Sequence, residues 1–150
     1  MIQTKYGNLL DAKDAIVHGC NCQGVMGSGV ALQIRQKWPE VFTDYKAYYK
    51  RGMLHLGATY YVAVEPDVFV FNAMTQEFYG RREGAIYVSY EAVRMAFRKI
   101  NKVVIKDLGI KTVNFPLIGC GLAGGDWSVV SSIIDEELDD SLEKVLWLQP

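Results

Sequence analysis

Residues 15–39 read AIVHGCNCQGVMGSGVALQIRQKWP, and the fold of the chain turns on this stretch. It begins as an apolar run, passes through His18 and Asn21, and becomes a glycine-rich loop. It ends as an amphipathic segment closed by Pro39. Strand, glycines and helix N-terminus in that order are the physical recipe for holding a phosphorylated ligand. Glycine lets the backbone come close to the ligand, and the unpaired N–H groups of the first helical turn point at the anion.

Outward from this stretch, the chain alternates strand-like and helix-like segments. Residues 1–10 (MIQTKYGNLL) suit a strand ending at the turn pair Gly7–Asn8. Residues 15–20 are apolar on both faces, as in a buried strand. Ser28 is placed to cap a helix on which Val30, Ile34 and Trp38 recur every four residues. Pro39 opens a second helix with Val41, Tyr45, Tyr48 and Tyr49 on one face, ending at Arg51–Gly52. ATYYVAVEPDVFVFNAMTQ reads as two strands broken at Glu65–Pro66–Asp67, a hairpin.

A long helix follows Ser89, with Tyr90, Val93, Phe97, Ile100 and Val104 on one side, and stops at Gly109. Lys111–Ile118 is a further strand, and GCGLAGG is a second glycine-rich loop. Asp126 is placed to cap a last helix carrying Val129, Val130, Ile133, Ile134 and Leu138, and Val145–Leu148 closes the chain as a strand. The expectation is one α/β domain over residues 1–150.

The totals narrow its function. At 150 residues and 50% hydrophobic, the chain is long enough for one real core. A formal charge of −1 gives no general attraction to nucleic acid or to an anionic membrane, so any anionic ligand is met by local geometry. Cys20, Cys22 and Cys120 make no disulfide framework, and neither a signal peptide nor a long apolar span is present. A cytoplasmic protein is expected.

The two glycine loops matter as a pair. Each follows an apolar strand and precedes an amphipathic helix, so in a parallel arrangement both open at the carboxyl end of the sheet. Neither is a standard nucleotide motif: Gly27-Ser28-Gly29 lacks the third glycine of a dinucleotide fingerprint, and no P-loop Gly-Lys-Ser/Thr occurs. A cysteine-dependent phosphatase would want an arginine six positions after its cysteine, where Cys120 has Asp126 and Cys20 has Met26. Cys20, Cys22 and His18 are too tightly spaced for a usual zinc site, so no metal is expected. His18 reads either as a core histidine or as an acid, base or nucleophile at the mouth of an anion-binding loop. Arg81 and Arg82 read either as a solvated loop or as mobile positive charge near the cleft.

HGCNCQGVMGSGVALQIRQKWP, with PLIGCGLAGGDW downstream, resembles the macro domain family over essentially the whole chain. The likeness starts at Gly7-Asn8-Leu9 and is strongest to the small branch containing ADP-ribose 1″-phosphate phosphatase and terminal ADP-ribose glycohydrolase. The resemblance implies a three-layer α/β/α domain around a mixed central sheet, with an ADP-ribose derivative across its carboxyl-end crest and no cofactor. Asn8 and Leu9 would meet adenine, with Asn8 where the family usually has aspartate. Gly27, Ser28 and Gly29, with Gly119, Cys120, Gly121 and Leu122, would surround the diphosphate and distal ribose.

By the same resemblance, Asn21 would hydrogen-bond the ribose hydroxyls. His18 would match the histidine on which phosphatase activity depends, as nucleophile or as proton donor. The implied reaction removes the 1″-phosphate from ADP-ribose 1″-phosphate, a by-product of tRNA splicing in the family's setting. The alternatives are a non-catalytic reader of free or protein-linked ADP-ribose, or an ADP-ribosyl-protein glycohydrolase. Glycohydrolase members use a lysine and an aspartate where this chain has Gln76 and Ala123, which argues against that last alternative.

Overall fold

The computed structural model describes residues 1–79, 86–121 and 123–150. A six-stranded sheet runs in the order β1-β6-β5-β2-β4-β3, from β1 (Ile2–Tyr6), β2 (Asp14–Asn21), β3 (Thr59–Glu65), β4 (Val68–Gln76), β5 (Thr112–Phe115) and β6 (Glu143–Leu148). Every neighbouring pair is parallel except β3 with β4, the antiparallel hairpin at one edge. The sheet is therefore mixed, and five carboxyl ends share one crest.

Alternation along β2 sends side chains into two helical layers. Ala15 and Val17 join Phe71, Val113 and Phe115 against α3 (Tyr90–Lys102) and α4 (Trp127–Glu137). On the other face Ile16 and Cys20 join Val70 and Met74 against α1 (Gly29–Lys37) and α2 (Pro39–Lys50). The result is the three-layer α/β/α arrangement expected. Phe97 meets Phe115 edge-on at 6.2 Å between ring centroids, a favoured aromatic geometry in the first of these layers.

Several local readings change. The strand expected over 111–118 ends at Phe115, because Pro116 has no N–H to continue the ladder. Ser28 occupies the N-cap of α1, yet its hydroxyl caps nothing, whereas Asp126 accepts from Ser128 N as expected. Tyr49 is exposed and leaves the face shared by Val41, Tyr45 and Tyr48, and Val129 is likewise exposed on α4. The helix after Ser89 continues past Lys102 as a π-helical turn, Val103–Leu108, closed by left-handed Gly109.

The second glycine loop is shaped by close packing. Gly119 has φ +73°, and a Cβ there would stand 2.5 Å from Val88 Cγ2. Gly121 has neither constraint, since a Cβ on it would meet no atom of the described residues within 4 Å. Gly119→Ala should therefore cost about 2 kcal/mol from strain and overpacking, while Gly121→Ala should stay within roughly 0.5 kcal/mol of the parent. Urea denaturation of the two variants checks the contrast, and equal losses would mean the loop is not held by this contact.

Candidate functional site

A cleft of about 770 Å³ lies along the crest, lined from the ends of all five parallel strands. β2 and β5 are adjacent, so the loops that leave them stand side by side at its middle. Gly27, Ser28 and Gly29 line it from the first loop, and Gly119, Cys120 and Gly121 from the second. Asn8 and Leu9 line it beyond β1, beside Trp147, Leu148 and Gln149 from the end of β6. The structure thus brings together every expected site residue it describes. Leu122, Arg81 and Arg82 lie outside the described residues.

The first loop is built on Asn21. Its Oδ1 accepts from Gln23 N at 2.9 Å, and its Nδ2 donates to Val25 O at 2.8 Å. From α2, the Tyr45 hydroxyl donates to Asn21 O at 2.6 Å and lies 2.9 Å from Asn21 Oδ1. Asn21 is thereby committed to holding the loop over the start of α1. There Gly29 sits at φ +59°, and Ser28, Gly29, Val30 and Ala31 line the cleft with no side-chain cap on the helix. An uncapped helix N-terminus presents unpaired N–H groups and the positive end of the helix dipole.

At the far end Asn8 caps a single 3₁₀ turn, Leu9–Asp11, with its Oδ1 accepting from Leu10 N at 3.0 Å. In the second loop the Cys120 thiol donates to Ile118 O at 3.2 Å. Burial, then the nearby Asp126 carboxylate, push that thiol upward, so it is not a ready nucleophile at neutral pH. The Cys20 thiol is raised further, chiefly by burial.

No Lys, Arg, Asp or Glu lines the cleft among the described residues. Among the same residues, no group of three or more His, Cys, Asp or Glu is placed to hold a metal ion. Among the described residues, an anion here would be met by backbone N–H groups and dipoles.

His18 lies in the floor, 1% exposed, with Nε2 2.6 Å from Asn72 Oδ1 on the neighbouring β4. Cys20 Sγ is 3.6 Å from Nε2 and 3.8 Å from Nδ1. Burial holds the imidazole pKa down at about 4 against a smaller opposing effect of the Asn72 bond, so the ring is neutral at pH 7. The sequence alone does not mark Asn72 or Tyr45 as site residues. The signal for Asn72 was a lone amide inside the apolar run VFVFNAM. For Tyr45 it was a phenol on the buried face of a helix, and such a hydroxyl needs a partner. Gln76 and Tyr79, at the end of β4, also line the cleft.

The family profile described as Macro domain matches residues 17–134. A DNA ADP-ribosyl glycohydrolase of Mycobacterium tuberculosis is 32% identical over 134 residues, covering 87% of this chain and 36% of that protein. The chain thus spans little more than a third of the length of that relative. An ADP-ribose 1″-phosphate phosphatase of Candida albicans is 26% identical over 127 residues, covering 83% of this chain and 81% of that protein. A solved structure of a protein of unknown function from Bacteroides thetaiotaomicron superposes with a TM-score of 0.90 at 30% identity, covering 100% of this chain and 98% of its own.

A histidine buried neutral makes stability depend on pH. Its folded pKa of about 4 lies below the unfolded 6.5, so the unfolded chain binds the extra proton between them. The contribution is complete above 6.5 and is lost as pH falls to about 4, amounting to about 3 kcal/mol. Over that window the parent should lose this much stability relative to His18→Gln, whose side chain does not titrate. Denaturation of both proteins at pH 7 and pH 4 measures it, and parallel profiles would show His18 is not buried neutral.

Proposed function

The chain belongs to the macro domain family, and from that premise we propose that its cleft binds ADP-ribose-type ligands and hydrolyses the 1″-phosphate of ADP-ribose 1″-phosphate. The observation that carries the reading is the pair of glycine loops on adjacent parallel strands. The first offers the uncapped N–H groups of α1 to a diphosphate, and no carboxylate lines the cleft among the described residues.

In the proposed reaction the oxygen of a water attacks phosphorus and the bond from phosphorus to the sugar O1″ breaks. His18 takes the water's proton and returns it to the released sugar oxygen, giving inorganic phosphate and ADP-ribose. A neutral imidazole is suited to begin as proton acceptor, and a ring in the cleft floor sees only a phosphoryl group seated deep between the loops. The other nucleophile candidates, Cys20 and Cys120, are held as thiols by burial. ADP-ribose linked to a macromolecule is the second substrate class, favoured by the 32% identity to the DNA ADP-ribosyl glycohydrolase. Gln76 and Ala123 leave a lysine–aspartate mechanism without its groups.

Two measurements test the reading. Gly121→Glu places a carboxylate at an open point of the second loop, where an added Cβ meets no atom of the described residues within 4 Å. Calorimetry should show ADP-ribose binding abolished with the fold intact, and unchanged affinity would remove this loop from the site. His18→Ala should lower turnover on ADP-ribose 1″-phosphate by roughly a hundredfold while ADP-ribose affinity changes little. Near-normal turnover from the folded variant would make His18 a structural residue, and no turnover by the parent would leave a reader or a glycohydrolase.

A further inference from the structure

We propose that Asn72 is the positioning residue of this site: it holds His18 as the Nε2–H tautomer and so confines the ring to accepting protons at Nδ1. This rests on the phosphatase reading for its use in catalysis, though not for its geometry.

The argument begins at the strand register. His18 and Asn72 are direct partners across the parallel β2–β4 pair, so their side chains share one face of the sheet. Asn72 is 1% exposed, and its Oδ1 stands 2.6 Å from His18 Nε2. With Oδ1 of the amide facing the ring, a carbonyl oxygen that only accepts gives Nε2 the hydrogen. A neutral ring has one N–H, which leaves Nδ1 with its lone pair. Among the described residues, the hydrogen-bond contact of Nδ1 is with Cys20 Sγ at 3.8 Å, a weak partner.

The environment supports a neutral ring. Among the described residues, the titratable groups packed into this layer include the Cys20 and Cys22 thiols, the Tyr45 phenol from α2 and the Tyr60 phenol from β3, and burial pushes all four upward, away from ionisation at neutral pH. No carboxylate or ammonium lines the floor among the described residues. The imidazolium therefore has no counter-charge, and protonation from solvent is suppressed to about pH 4.

A second observation separates Asn72 from ordinary core packing. Its Nδ2 is buried and has no hydrogen-bond partner among the described residues. Orphaned buried donors are rare and unfavourable, and an apolar side chain would avoid the cost. Among the described residues, the hydrogen bond of this side-chain amide goes to His18. His18 in turn lines the cleft, as Asn72 does not. Asn72 thus acts through the ring.

Nitrogen-detected NMR of the imidazoles tests this directly, because the chain has only two histidines and His55, which is exposed, supplies the second set of signals. At pH 7 the parent should show His18 neutral and protonated at Nε2. A ring protonated at Nδ1, or an imidazolium, would overturn the proposal without any variant being made. Asn72→Asp then sets a negative oxygen against the same N–H and should raise the His18 pKa by one or more units, since an adjacent opposite charge favours the protonated ring. The acid limb of kcat/KM should move up by the same amount. A merely structural Asn72 predicts lower stability with the ring titration unmoved, and that result would also overturn the proposal. If the parent ring is the Nε2–H tautomer but ADP-ribose 1″-phosphate is never hydrolysed, the phosphatase reading falls and the positioning stands.

Discussion

The cleft depends on three strands being held with their ends level, and one buried amide joins them. Asn114 on β5 is 2% exposed and donates through Nδ2 to Lys13 O at 2.7 Å and Ala15 O at 2.9 Å, at the start of β2. Its Oδ1 accepts from Trp147 Nε1 at 2.8 Å, on β6. Three hydrogen bonds from one side chain thereby tie β2, β5 and β6. In a buried setting each would cost about 1–3 kcal/mol if broken on one side only. The loops that follow β2 and β5, and the Trp147 wall, are placed relative to one another by these bonds. A slip between the strands would separate the two glycine loops and open the anion site to solvent.

The electrostatics of the site follow from the same economy. A fixed cation in the floor would need its own desolvation and pairing, whereas backbone N–H groups at an uncapped helix terminus are already oriented. The first loop needs an organiser that leaves those groups free. Asn21 and Tyr45 do this from below, since their bonds are spent on the loop's own backbone and on each other. The second loop is organised differently. The Ala123 carbonyl accepts from Tyr87 N at 2.8 Å and Val88 N at 3.3 Å, and Gly125 N donates to Gly119 O at 2.6 Å. One loop is thus held chiefly by a side-chain amide and the other chiefly by backbone bonds.

Much of this was legible in the sequence because it is written in local chemistry. The glycines at 27, 29, 119 and 121, the apolar runs before them and the Asp126 cap state strand, loop and helix within a few residues of each other. The crest location followed from parallel topology. What escaped was long-range pairing: Asn72 meets His18 only through strand register, and Tyr45 meets Asn21 only because α2 folds back across β2. Ser28 misled for a related reason. Its residue type suits a cap, but the loop places it with φ −155° and ψ 163° and its hydroxyl bonds no helical N–H. The strand expected over 111–118 stops at Phe115 although the apolar run continues, because the missing N–H of Pro116 outweighs hydrophobicity.

The second loop also limits the chemistry the cleft can acquire. Ala123 lines the cleft, yet it is only 5% exposed, packs into the layer of α3 and α4, and anchors the strand-like return at Tyr87 and Val88 through its carbonyl. A carboxylate at this position would be desolvated, and no described cation lines the cleft to offset it. Such a group would stay protonated or loosen the loop that places Gly119 and Gly121. Gln76 is under a different constraint, being half-buried with Nε2 donating to Phe78 O at 2.7 Å, so its replacement would disturb an edge contact rather than the core. An acid–base pair across the cleft is therefore opposed chiefly from the Ala123 side. The ring already set in the floor by Asn72 is the group whose protonation the surrounding packing does control.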